Sequence, residues 1–117
     1  MPELIIEPTM IPVPGGKTIA EYVGQVKTGD SAVSVAVMHA PAGWSEPAQT
    51  PQFDEITLVI SGTIDVEHAD GITSVGAGQA LITRAGERVR YLTREDAHYV
   101  AICLPAFSPD LVNREDD

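Results

Sequence analysis

Trp44, Glu46, Gln49, Gln52 and Glu55 fall within twelve consecutive residues, on a segment that also holds Pro47 and Pro51. Two carboxylates, two amides and an indole in so short a stretch could bind a polar ligand and move a proton on it. The prolines fix φ, so whatever this segment presents is held in place. Glu55 opens a run, residues 55–60, whose alternation places Glu55, Thr57 and Val59 on one face. A carboxyl facing an apolar interior has its pKa raised by desolvation, which suits a general acid or base near neutral pH. The bland alternative is an inert group hydrogen-bonded to Gln49 or Tyr91. Tyr91 lies two residues beyond Val89 and shares its face on a strand, so its hydroxyl is the second candidate for proton transfer. Packing with one satisfied hydroxyl is its bland alternative.

Four of the seven basic residues, Arg84, Arg88, Arg90 and Arg94, lie within 11 positions. With Val89, Tyr91 and Thr93 inward, parity sends Arg88, Arg90 and Arg94 outward. Arg84, at a turn, is the one expected at a pocket mouth. Trp44 is expected to lie over that pocket or to plug a contact between copies. Glu46 and Gln52 are expected on its rim, with a solvated loop charge the alternative for Glu46. His39, His68 and His98 fall on three separate predicted strands and read as strand-end or surface residues, a non-standard metal site being the alternative. Cys103, the only cysteine, excludes an intrachain disulfide and reads as a small buried hydrophobe. No G-x-S-x-G, phosphate-cradling glycine loop, HExxH or CxxC occurs, which removes the usual signatures of serine hydrolysis, nucleotide-dependent transfer and zinc proteolysis.

These residues need a scaffold, and 117 residues make one domain. A chain of this size buries roughly two-thirds of its unfolded surface, so it needs neither disulfide nor metal merely to fold. With 17 acidic and 7 basic side chains the formal charge is −10. Phosphate backbones and anionic membranes are repelled by such a surface, so no nucleic-acid and no membrane partner is expected. The chain shows no apolar run near the ~20 residues of a spanning helix. It also has no charged-then-apolar leader and a single thiol, and the expected location is the cytoplasm.

Glycine and proline, 19 residues together, punctuate short β-branched runs at 31–38, 55–60, 63–67, 72–75, 79–83, 88–92 and 98–104. Short, evenly spaced strands predict an all-β sandwich or barrel. His68-Ala69-Asp70-Gly71 predicts a hairpin turn. Residues 1–16 are expected to be extended and to pair across a homodimer, residues 17–107 to form the barrel, and 108–117 to be an acidic, frayed tail. No long helical repeat occurs, although residues 3–9 or the last residues could hold a short helix.

The middle of the chain resembles the cupins, small jelly-roll barrels with two glycine-framed motifs. Gly43, Gln49, Pro51, Glu55 and Gly62 occupy the frame G-x5-H-x-H-x3-E-x6-G, and Gly78, Arg84, Gly86, Val89 and Thr93 that of G-x5-P-x-G-x2-H-x3-N. The resemblance implies a single double-stranded β-helix, with Glu55, Thr57 and Val59 pointing into the barrel. It also maps the metal ligands of metal-binding cupins onto Gln49, Pro51, Glu55 and Val89. Proline and valine offer no side-chain donor and an amide is a poor one, so no metal and no cofactor is expected there. Residues 43–47, Phe53-Asp54-Glu55 and residues 103–107 are similar to the ethanolamine-utilisation Q-type cupins, which also lack these histidines.

The expected function is a metal-independent pocket for a small-molecule ligand. In it Glu55, helped by Tyr91 and Gln49, transfers a proton in an isomerase, epimerase or lyase step on a small carbonyl compound or sugar acid. The alternatives are a non-catalytic small-molecule-binding or accessory cupin, and a metal-dependent enzyme of dioxygenase type with non-standard ligands. Whether the chain is an enzyme stays open at this point.

Overall fold

The computed structural model describes residues 1–116, and among them nine strands and one short helix form. The strands are β1 (Thr9–Ile11), β2 (Thr18–Val23), β3 (Ser34–Ala40), β4 (Asp54–Ser61), β5 (Thr63–His68), β6 (Gly71–Gly76), β7 (Ala80–Thr83), β8 (Arg90–Leu92) and β9 (Ala97–Leu104). Six pair in the order β1-β2-β3-β9-β4-β7 and three in the order β6-β5-β8, all antiparallel. β9 runs between β3 and β4, far from either in sequence, which is the crossover of a jelly roll. The chain is all-β, as its punctuation predicts.

Alternation sets what each sheet buries. On β4, Glu55, Thr57 and Val59 are buried while Leu58 and Ile60 are exposed. On β9, Ala97, Tyr99, Ala101 and Cys103 are buried, and on β8 Tyr91 is. Val59, Ala97 and Tyr99 of the larger sheet pack with Ile64, Val66, Val75 and Tyr91 of the smaller one in a single core. The Asp70-Gly71 turn joins β5 to β6, with His68 paired to Gly71 as expected. Gly62 links β4 to β5 at φ 78°, and a Cβ there would collide with the Asp96 carbonyl oxygen, so only glycine fits.

Two features differ from the sequence-based expectation. Residues 18–23 form β2, because Glu21 is buried and its Oε2 accepts the backbone N–H groups of Val26 and Lys27 at 3.0 and 2.8 Å. A glutamate in mid-strand masks a strand signal unless its partners are known. The expected frayed tail is also corrected up to residue 116, Asp117 lying outside the described residues. A helix, α1 (Pro109–Val112), is capped by the Ser108 hydroxyl and ends on Asn113 in the left-handed region. It turns the chain back, so that Glu115 N–H donates to the Ala48 carbonyl at 2.8 Å and Arg88 pairs with the Glu115 carboxylate. No helix of the described residues is long and apolar enough to cross a membrane.

Candidate functional site

Residues 44–49 lie alongside β8 as if they were a strand, though only isolated bridges form: Ser45 with Leu92 and Gln49 with Val89. Gln49 and Val89 exchange backbone hydrogen bonds of 2.8 and 2.9 Å, and the Thr93 hydroxyl holds the preceding loop by donating to the Pro41 carbonyl at 2.6 Å. This clamp aims Trp44, Glu46 and Gln49 into the larger sheet's concave face. There they meet Glu55 of β4, Tyr91 of β8, and Tyr99 and Cys103 of β9 around a cavity of about 480 Å³. Ile11, Val13 and Lys17 close another side.

Five residues singled out from sequence therefore share one cavity: Trp44, Glu46, Gln49, Glu55 and Tyr91. Gln52 and Arg84 lie outside its lining. Gln52 is exposed because alternation turns it away from its buried neighbours Pro51 and Phe53. Arg84 is 68% exposed and faces Asp54 at 3.7 Å across the β4–β7 edge. Arg88, Arg90 and Arg94 point outward, as parity predicts, and each pairs with a carboxylate, of Glu115, Glu67 and Asp65 respectively.

Two cavity residues had no signal in the sequence. Lys17 follows a glycine pair and reads as a turn lysine, yet its Nζ lies 4.4 Å from the Trp44 ring centroid and 5.5 Å from that of Tyr99. Arg114 reads as part of a solvated tail, yet it donates to Gln49 Oε1 at 2.9 Å and lies 3.6 Å from Glu46.

Burial sets the protonation of the cavity. Glu55 has no hydrogen-bonding partner among the described residues, so the alternative of an inert group tied to Gln49 or Tyr91 is not what forms. Its pKa is raised to about 7, mainly by burial and further by Glu46, against the opposing pull of Lys17 and Arg114. Burial also pushes Lys17 below its ordinary value, although Glu46 and Glu55 oppose this. Tyr91 is held well above the usual phenol range by burial and by Glu55, and donates or accepts with the Thr83 hydroxyl at 3.3 Å. Burial raises the Cys103 thiol likewise, so it is no thiolate. The arrangement is a largely apolar cup with an aromatic wall, one carboxyl poised near neutrality, one amide, the Lys17 ammonium, and the Arg114 guanidinium paired with the Glu46 carboxylate.

The metal of metal-binding cupins does not fit this donor set. Gln49, Pro51, Glu55 and Val89 occupy its ligand positions and supply one carboxylate and one amide. Among the described residues no group of three His, Cys, Asp or Glu side chains is placed to hold an ion. His39 and His98, paired across β3 and β9, stack on each other at 4.4 Å, and His68 bonds to Thr73.

No protein-family profile matches the chain. Among solved structures it is similar to an RmlC-like cupin from Shewanella frigidimarina, at 10% identity with 89% of each chain covered and a TM-score of 0.76. It is also similar to the EutQ protein of Clostridium difficile, at 17% identity over 78% of this chain and 65% of that one, with a TM-score of 0.65. The fold is that of the cupins, as the glycine frames implied.

In sequence, the chain is 40% identical over 110 residues to Endoribonuclease YbeY of Myxococcus xanthus. The match takes in 91% of this chain and 37% of that protein, so the chain spans little more than a third of its relative's length. This finding corrects two expectations. The small-molecule isomerase reading, with its alternatives, gives way to a relative named for cutting RNA, and the exclusion of nucleic acid falls with it. Net charge describes the average surface and does not bear on a single base held in a pocket.

Proposed function

We propose that this chain serves RNA cleavage as the cupin-fold part of an endoribonuclease system, and that its cavity receives one unstacked RNA nucleotide. The 40% identity to an endoribonuclease across 91% of the chain carries this reading. The cavity's chemistry supports it. Trp44, Tyr91 and Tyr99 offer aromatic faces, and base–aromatic stacking contributes about 1–3 kcal/mol per base. Gln49 and the protonated Glu55 can meet the hydrogen-bonding edge of a base, and Arg114 and Lys17 can face a phosphate or ribose oxygen. About 480 Å³ accommodates one nucleotide but not a duplex.

Backbone tracking has little support in the charge pattern. Arg84, Arg88, Arg90, Arg94 and Arg114 all stand within 4 Å of a carboxylate, so the RNA is held by its base more than by its phosphates. Trp44, the only tryptophan, reports occupancy directly through its fluorescence. Titration with a single-stranded oligoribonucleotide should quench it saturably, and the matching duplex should not. No response to single strands, or equal response to both, overturns the reading.

A further inference from the structure

Three polar side chains converge in the cavity. Gln49 stands opposite Val89 in register, so its side chain shares a face with Val89 and, two residues on, with Tyr91. The Tyr91 hydroxyl reaches that of Thr83 at 3.3 Å, and Thr83 is the register partner of Glu55. Gln49 and Glu55 are both buried, and both line the same cavity. What each still offers a ligand differs. The Arg114 guanidinium donates twice to Gln49 Oε1, at 2.9 and 3.3 Å, so the oxygen is engaged and the NH2 group is left to donate. Glu55 bonds to none of the described residues, and its protonated carboxyl carries one O–H donor beside one carbonyl acceptor.

Resting on the reading that this cavity receives one RNA nucleotide, we propose that it selects pyrimidines over guanine, Gln49 and Glu55 reading the base edge and Arg114 acting as the positioning residue. Together Gln49 and Glu55 present two donors and one acceptor, and the Watson–Crick edges of the four bases answer them differently. Uracil satisfies all three: the Glu55 O–H donates to one base carbonyl, its C=O accepts N3–H, and Gln49 donates to the other carbonyl. Cytosine does so too, giving N4–H to the Glu55 C=O and taking the Glu55 O–H at N3 and the Gln49 N–H at O2. Adenine pairs with Glu55 through N6–H and N1 but sets C2–H against the Gln49 donor. Guanine pairs with Glu55 through O6 and N1–H, then points its 2-amino group at the Gln49 NH2, donor against donor. A buried donor left without an acceptor is costly, so the mismatch rejects the base rather than merely failing to attract it. At pH 6 the carboxyl, with its pKa raised to about 7, carries its proton. The charged and titratable groups that face it are Lys17, Glu46, Arg114, Tyr91, Tyr99 and Cys103.

Titration of Trp44 fluorescence at pH 6 tests this, with heptamers in which a single base, uracil, cytosine, adenine or guanine, stands in a run of abasic riboses. Uracil and cytosine should bind about tenfold or more tighter than guanine, with adenine between. Gln49→Glu replaces the donor by an acceptor that Arg114 still holds, so the preference should turn to guanine. If circular dichroism shows that this variant fails to fold, Arg114→Ala decides. It frees the amide to rotate, so the preference for uracil over guanine should fall about threefold or more, a ratio that a general loosening of the cavity leaves unmoved. Equal binding of all four heptamers overturns the base reading and leaves the cavity standing as a nucleotide site. Binding of none overturns both. A wild type that prefers guanine, or a pyrimidine preference unmoved in the folded variants, overturns the base reading alone.

Discussion

Arg114 and Gln49 stand 65 positions apart and meet at 2.9 Å, the Arg114 guanidinium donating to the Gln49 amide oxygen. The contact fixes the amide's orientation. With its oxygen engaged, Gln49 has only its NH2 group to turn to a ligand, so it can act as a donor and not as an acceptor. Arg114→Ala should therefore weaken single-stranded RNA binding by roughly three- to tenfold, the scale of one lost ordinary hydrogen bond from a misoriented Gln49 amide. Trp44 fluorescence titration measures this, and the melting temperature should move by only a few degrees.

Glu55 makes stability depend on pH in a defined direction. Its folded pKa of about 7 lies above the ordinary carboxylate value, so the native state binds more protons than the unfolded state in between. Stability is therefore highest below about pH 4.5, as far as this group contributes, and declines as pH rises through 7. The loss is of order 3 kcal/mol at most. Glu55→Gln should raise the urea midpoint at pH 8 and change it little at pH 5. An equal effect at both values would show that Glu55 does not titrate near neutrality.

Lys17 and Glu55 oppose each other's burial. Lys17 pulls the Glu55 pKa down, so Lys17→Met should move the Glu55 titration further above 7. Carbon-13 NMR of the Glu55 carboxyl reads the shift. RNA affinity should then persist to higher pH if the protonated carboxyl is what meets the base.

Salt separates the two ways of holding RNA. For a nucleotide held by stacking with about one phosphate contact, log K should fall with log salt at a slope near −1 or shallower. A slope near −4 would mean that the strand lies along a basic surface, contrary to the paired arginines.

Gly62→Ala tests the corner between β4 and β5. Its φ of 78° and the nearby Asp96 carbonyl leave no room for a Cβ, so a loss of about 2–4 kcal/mol is expected. Chemical denaturation measures it. Gly29→Ala, where nothing lies within 4 Å, should cost less.

Much of this protein follows from local pattern. Alternation and turn residues suffice for an all-β chain and for seven of the strands, whereas the inward placing of Glu55 and Tyr91 needs the register of the glycine frames, because parity separates a strand's two faces without saying which one is buried. The glycine frames point to the barrel because Gly43, Gly62, Gly78 and Gly86 must take positive φ at its corners. Burial of the Glu55 carboxyl, and so its raised pKa, follows from that same register.

Tertiary structure decided the rest. Lys17 and Arg114 enter the cavity only because β2 pairs with β3 and because α1 reverses the chain at Asn113, and neither event has a signature in neighbouring residues. Arg84 leaves the site because a carboxylate on an adjacent strand, Asp54, faces it across the edge. Overall charge, a sum over the surface, carries no information about one apolar cup whose cations and carboxyls face each other. Strand parity is a property of neighbours along the chain, whereas the company a side chain keeps is set by contacts made dozens of residues away.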